Sequence, residues 1–222
     1  MFDLFQQGGV IMYVLLVMSI LAMSIIILKL YQFARSGIRK TAFVDDILSL
    51  LVRGEPALAL ERLQQQASPV ARVLESAVRL GANPEMSSRD VEAEVSRVGS
   101  AQIRGLESWL RGLSSIAHLS PLLGLLGTVT GMIAAFMSLQ EAGNRVDPAM
   151  LAGGIWEALL TTAFGLTVAI PAMAAFHYLE GEVDQLRAAM KDASIQVLRH
   201  FGKSPHVDDG DEGRVEDETH GL

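Results

Sequence analysis

Glu157 is the one acid in an otherwise apolar run, GGIWEALLTTAFGLTVAIPA, from Gly153 to Ala172. An ionised carboxylate placed in hydrocarbon costs at least ~3 kcal/mol, so such a group faces protein or water. Thr161 lies one helical turn further on, on nearly the same face, and Gly165 one turn beyond that. Thr162 is offset from Glu157 by about 140°. Pro171 removes a backbone donor and frees the carbonyl of Thr167, which leaves a polar acceptor inside the run. A carboxylate can take and release a proton, and hydroxyls can donate and accept along a path. The chemistry open to this set is proton handling. The simpler alternative makes Glu157 an interfacial anchor, snorkelling or bonded to a neighbouring helix.

A second run, SPLLGLLGTVTGMIAAF, carries Gly124, Gly127 and Gly131 at i, i+3 and i+7. Glycines at this spacing form a small-residue face that lets another helix approach closely. Thr128 sits among them, and Thr130 points roughly the opposite way, since two residues turn a helix by ~200°. Threonine hydroxyls in membrane helices commonly bond back to a carbonyl one turn earlier, so Thr128 alone specifies no function.

The elements that must hold these residues are helices in a membrane. Of the 222 residues, 50% are hydrophobic, and they are gathered in blocks. Three spans are expected, at 10–30, 114–139 and 151–178. The first is long enough to cross ~30 Å of hydrocarbon. It has no Lys or Arg before it and no small-residue cleavage site after it, so it reads as an uncleaved anchor rather than a signal peptide. The third would measure about 42 Å at 1.5 Å per residue and should project from the membrane at one end. The linker 140–150 is short, so the second and third spans form an antiparallel hairpin, with Pro148 in the first turn and Asp147 as N-cap.

Basic residues set the orientation. Lys29, Arg35, Arg39 and Lys40 follow the first span, Arg104 and Arg111 precede the second, and Arg187 and Lys191 follow the third. The segment 1–9 has none and the linker has Arg145 alone. The N-terminus and linker therefore face the periplasm, and the segment 31–112, a helix over 179–205 and the tail 206–222 face the cytoplasm. The cytoplasmic segment reads as helices punctuated by Gly54–Pro56 and Ser68–Pro69, with a last helix capped by Ser87 or Ser88. Leu106, Trp109, Leu110 and Leu113 recur at helical spacing, and a bend is expected near Gly112. The fold class is thus an all-α membrane protein with three transmembrane helices and long cytoplasmic helical extensions.

Composition excludes several classes. There is no cysteine, so no disulfide and no cysteine-ligated metal. Much of the net charge of -7 falls in the acidic tail, which reads as solvated and disordered. No basic, aromatic-rich patch points to nucleic acid. The spans hold no HExxH pair and no GxSxG serine, and His118 and His177 stand singly, so an enzyme is not expected and neither is a cofactor or metal.

GLLGTVTGMIAAF followed by GGIWEALLTTAFGLTVAIPA closely resembles the MotA/TolQ/ExbB proton-channel family, on its ExbB/TolQ side. The resemblance covers the whole expected topology. It places Glu157 at the family's glutamate, Thr128 and Thr162 at its pore threonines and Pro171 at the proline of AIPA. It implies a bacterial inner-membrane subunit forming a homo-oligomeric ring, typically a pentamer in membrane lipid, around single-span ExbD/TolR-like partners that carry a membrane Asp. Proton flow through such an assembly is coupled to work at the cell envelope. An ExbB-like role would energise outer-membrane transport through a TonB-like protein, and a TolQ-like role would serve outer-membrane integrity through a TolA-like one. A non-conducting membrane scaffold is the remaining alternative. Thr161 joins Glu157, Thr128 and Thr162 as the expected proton pathway, while Gly124, Gly127, Gly131, Gly165 and Pro171 are assigned to helix packing.

Overall fold

The computed structural model describes residues 9–35, 43–142 and 148–203. The N-terminal segment 1–8, Arg39 and Lys40, residues 143–147 of the linker with Asp147, and the acidic tail lie outside them. Among the described residues every regular element is helical: α1 (Gly9–Arg35), α2 (Phe43–Val52), α3 (Pro56–Gln64), α4 (Pro69–Gly81), α5 (Ser88–Glu107), α6 (Leu110–Ala142) and α7 (Pro148–His200). Three of them, α1, α6 and α7, are long and apolar enough to cross a membrane. The chain forms two compact units, one drawn from Met1–Ile38 and Gln102–Arg187, the other from Arg39–Ala101 and Ala188–Leu222.

In the first unit α1 packs along α6. Met12, Leu15, Ala22 and Lys29 form its buried stripe, at intervals of three and seven residues, while Val10, Val17, Ile20, Ile27 and Leu28 remain exposed. An apolar helix buried along one narrow stripe is suited to lipid or to a further helix on its other faces. The helix expected over 179–205 is the continuation of the third span: α7 runs unbroken through Pro171 to His200. At 1.5 Å per residue its 53 residues reach about 80 Å, well beyond a hydrocarbon core of ~30 Å.

The break before α6 falls earlier than Gly112. Ser108 and Trp109 separate α5 from α6, and Trp109 takes a left-handed φ of 70°. Gly112 sits within α6 and faces open space. The left-handed residue also turns the Trp109 ring away from its expected face. Leu106, Leu110 and Leu113 are buried, whereas Trp109 is 71% exposed.

The second unit follows the punctuation in the sequence. Gly54, with φ 78°, turns the chain between α2 and α3. Ser68 caps α4, its hydroxyl accepting from the Val70 N–H at 3.3 Å, with Pro69 in the first turn. Ser87, not Ser88, caps α5. Its Oγ accepts from the Asp90 N–H at 3.2 Å and donates to the Asp90 carboxylate at 2.7 Å. α4 buries Val70, Val73, Leu74, Ala77 and Val78 on its inner face. At its end Gly81 meets the ring of Phe201, which would stand 2.5 Å from any Cβ there. Gly202, with φ 70°, then stops α7 as the Lys203 N–H bonds back to the Leu198 carbonyl at 2.9 Å.

Candidate functional site in the membrane hairpin

α6 and α7 approach closely because both present small residues to one another. A Cβ added at Gly165 would lie 2.6 Å from the Ser120 carbonyl oxygen, and one at Gly124 would lie 3.0 Å from the Cα of Thr162. One at Gly127 would collide with the Thr161 side chain. Further along, Gly131 meets Ala158 at 3.0 Å and Gly154 meets Ala135 at 2.6 Å. The antiparallel ladder is therefore Ser120–Gly165, Gly124–Thr162, Gly127–Thr161, Gly131–Ala158 and Ala135–Gly154. Gly124, Gly127, Gly131 and Gly165 all lie on this contact. Gly154 and Ala158 complete the α7 side; their four-residue spacing was in the sequence, masked by the more conspicuous glycines of α6.

The threonines divide by the carbonyl each one reaches. Thr162 Oγ1 donates across the hairpin to the Gly124 carbonyl at 2.9 Å. Thr161, 3% exposed, donates to the Ala158 carbonyl at 2.7 Å and lies 3.3 Å from the same Gly124 oxygen. Thr128 bonds back to Leu125 at 2.6 Å, and Thr130 back to Leu126 at 3.0 Å. Thr161 and Thr162 thus belong to the helix contact, whereas the hydroxyls of Thr128 and Thr130 stay on their own helix. Pro171 lies within α7, exposed and away from the ladder contacts.

Glu157 sits half-buried at the edge of the ladder, one residue before Ala158. It lines a cleft of about 350 Å³ between α6 and α7, shared with Gly131, Ala134, Ser138, Gly153 and Gly154. It makes no hydrogen bond or ion pair with any described residue, yet no buried side-chain oxygen among them lacks a partner. Its carboxylate oxygens are therefore open to the cleft. Ser138, which the sequence did not single out, shares that space and donates its proton to the Ala134 carbonyl at 3.0 Å.

A second cleft of about 490 Å³ lies in the same unit, beyond the other end of the ladder. Glu107, Arg111, Ser114, Glu180, Asp184 and Arg187 line it, and Arg187 bridges Glu107 and Asp184. His118 and His177 are exposed and tied locally, His118 to the Ser114 carbonyl at 2.7 Å and His177 to Glu180 at 3.4 Å. The described residues contain no cluster of His, Cys, Asp and Glu fit to hold a metal.

Lys29 is the buried charge that sequence reasoning read only as an orientation marker. It is 3% exposed, and its ammonium donates to the Leu106 carbonyl at 2.8 Å, Gln32 Oε1 at 3.0 Å and Ser108 Oγ at 3.4 Å. A cation at the last carbonyls of α5 satisfies acceptors that the helix leaves open and complements its dipole. Nothing local in the sequence pairs residue 29 with residue 106.

Three helices long and apolar enough to cross a membrane, two of them packed through small residues as a hairpin, mark a multi-pass membrane protein. A family profile described as the MotA/TolQ/ExbB proton channel family matches residues 65–192, more than half of the chain. An ExbB-like biopolymer transport protein of Synechocystis is 35% identical over 213 residues, covering 92% of this chain and 81% of that one. An ExbB homologue of Methanothermobacter thermautotrophicus is 30% identical over 82% of this chain, which spans 63% of that protein's length. The Tol-Pal system protein TolQ of Haemophilus influenzae is 39% identical over 110 residues, 47% of this chain and 48% of that one. The chain belongs to the MotA/TolQ/ExbB proton channel family.

Proposed function

We infer that the protein is the ring-forming subunit of a proton-driven machine in the bacterial inner membrane. Copies of the α6–α7 hairpin surround single-span ExbD/TolR-like helices, and Glu157 exchanges protons with the partner's membrane Asp. The observation that carries this reading is the state of Glu157. The hydroxyls placed on the hairpin are tied to carbonyls, while this one carboxylate is open to a cleft and unpaired among the described residues. A structural anchor would be expected to spend its oxygens on a donor, because an unpaired carboxylate in a membrane helix costs several kcal/mol on the order of the insertion scales.

Thr128 and Thr162 are read as the pore threonines alongside Thr161. Their hydroxyl protons serve the backbone, and the oxygen lone pairs remain to accept from water. The work supported is taken as ExbB-like, energising outer-membrane transport with a TonB-like protein, because ExbB-like relatives match 92% and 82% of the chain; a TolQ-like role in outer-membrane integrity is the alternative. The periplasmic N-terminus and cytoplasmic α2–α5 follow from the basic flanks. The test is complementation of proton-motive-force-driven uptake. Glu157→Gln keeps the size and bonding capacity but cannot ionise, and it should abolish uptake at normal expression and assembly. Glu157→Asp should retain a fraction. A fully active Glu157→Gln protein would instead mark a non-conducting scaffold.

A further inference from the structure

We propose that the second cleft, at the end of the hairpin away from the linker, holds the headgroup of a phospholipid bearing a primary ammonium. The phosphate lies on Arg111 and the ammonium on Glu180. The site is separate from Glu157 and stands whether or not that acid handles protons. The cleft encloses about 490 Å³, within the roughly 300–1,000 Å³ of small-molecule sites. Its charges divide into those already paired and those left open. Arg187 is held by both Glu107 and Asp184. Arg111, exposed on the α6 wall, makes no side-chain hydrogen bond or ion pair with any described residue. On the α7 wall, Glu180 meets His177 alone among the described residues, at 3.4 Å. An open cation on one wall and a weakly engaged anion on the other fit a zwitterion. Two guanidinium groups against three carboxylates disfavour an anionic headgroup. Ser114, one turn from Arg111, adds a hydroxyl that can donate to a phosphate oxygen.

Depth and surface select a lipid over a soluble zwitterion. Histidine aside, Glu180 is the first charged side chain after Glu157 on α7, and Arg111 the last before Glu141 on α6. The cleft therefore straddles the end of both apolar runs, with Leu110, Phe176 and Val183 as its apolar walls. Charged pockets between membrane helices at this level are where lipid headgroups bind. Leu122 and Leu125, both exposed, continue the Arg111 face of α6. They lie within about 40° of it, at about 16 and 21 Å along the axis. An acyl chain leaving a phosphate at Arg111 enters one leaflet of the ~30 Å core over these side chains. A primary ammonium offers N–H donors to Glu180, and the quaternary nitrogen of choline offers none.

The test uses the whole chain in nanodiscs holding equal parts of phosphatidylethanolamine, phosphatidylcholine and phosphatidylglycerol. The protein is released into mild detergent, and the lipids it retains are counted by native mass spectrometry. Phosphatidylethanolamine should be retained over each of the others by about tenfold, the scale of one hydrogen bond to a charged group. Arg111→Gln should abolish that retention, and Arg111→Lys should restore part of it. Glu180→Gln should keep a phospholipid bound while erasing the preference for ethanolamine over choline. Arg104→Gln, at an exposed arginine of α5 outside the cleft, should match the unmodified chain. Equal retention of the three lipids overturns the proposal, as does retention that neither Arg111→Gln nor Glu180→Gln alters. A preference for phosphatidylglycerol that Arg111→Gln removes would give the cleft to an anionic lipid and overturn the zwitterion. An unmodified chain free of lipid whose oligomer mass falls in Arg111→Gln would give the cleft to a second copy, and equally overturn it.

Discussion

Thr162 and Thr128 look alike in sequence, two hydroxyls on facing helices, but they are not equivalent. Thr162 crosses to the Gly124 carbonyl at 2.9 Å, while Thr128 bonds only to Leu125 on its own helix. An interhelical hydroxyl bond in a membrane protein contributes about 0.6 kcal/mol, with a ceiling near 2. Thr162→Val should therefore lower the thermal midpoint of the detergent-solubilised protein, and Thr128→Val should leave it in place. If both line the proton path, both should also reduce flux, so Thr128→Val becomes the variant that separates conduction from folding. Thr130→Val serves as the control and should change neither. Equal losses of thermal stability in all three would contradict the division drawn here. The faces of these residues were legible from helical geometry, but the bond partners were not. Which carbonyl a hydroxyl finds depends on the register of two helices 38 residues apart in sequence.

At the scale of elements, the caps and breakers were readable because their causes are local. Ser68 before Pro69, Gly54 before Pro56 and the Ser87–Asp90 pair each act within one turn. The bend was expected at Gly112, the nearest residue that favours a left-handed φ, and its true place at Trp109 was not readable because tryptophan carries no such preference. A non-glycine residue in that region costs roughly 1–2 kcal/mol. What stands against that cost is Lys29, 77 residues away from the carbonyl it holds. Lys29→Met keeps the stem and deletes the ammonium, leaving the Leu106 carbonyl without that donor. A lost bond to a charged group costs about 1.5–3 kcal/mol. Amide exchange through residues 104–113 should accelerate accordingly, while exchange in α4 stays unchanged. Uniform exchange across the two regions would show that Lys29 does not secure the α5–α6 corner.

The ladder between α6 and α7 gives a second test at this scale. Gly127→Leu must push the helices apart, because even a Cβ collides with Thr161. Gly153→Leu should be tolerated, because its Cβ meets nothing within 4 Å. A clear drop in thermal stability is expected for the first and little change for the second. Similar behaviour of the two would contradict the ladder.

For the whole molecule, three spans follow from apolar runs, whereas the unbroken passage of the third into the polar segment 179–200 does not. The division into two units does not, because α5 and α7 each contribute to both and no break in pattern marks the passage. Orientation follows from the basic flanks, and it is tested by cysteines at exposed positions on either side. Ser68 is buried as the α4 cap, so a cysteine there would report packing rather than sidedness. Gln66 is exposed two residues earlier, and Gln140 is exposed near the linker end of α6. In outer-membrane-permeabilised cells an impermeant thiol reagent should label Gln140→Cys and spare Gln66→Cys. The reverse pattern would invert the topology.

Glu157 is proposed to handle protons within the membrane. The most direct measurement is proton flux into vesicles containing the chain together with the proposed ExbD/TolR-like single-span protein, driven by an imposed potential and read by a pH-sensitive dye. Vesicles with the unmodified chain should acidify in a partner-dependent way. Those with Glu157→Gln, at matched assembly, should fall to the background of protein-free vesicles, because the amide cannot take up and release a proton in the same cycle. Flux through the Glu157→Gln complex equal to that of the unmodified one would contradict the account.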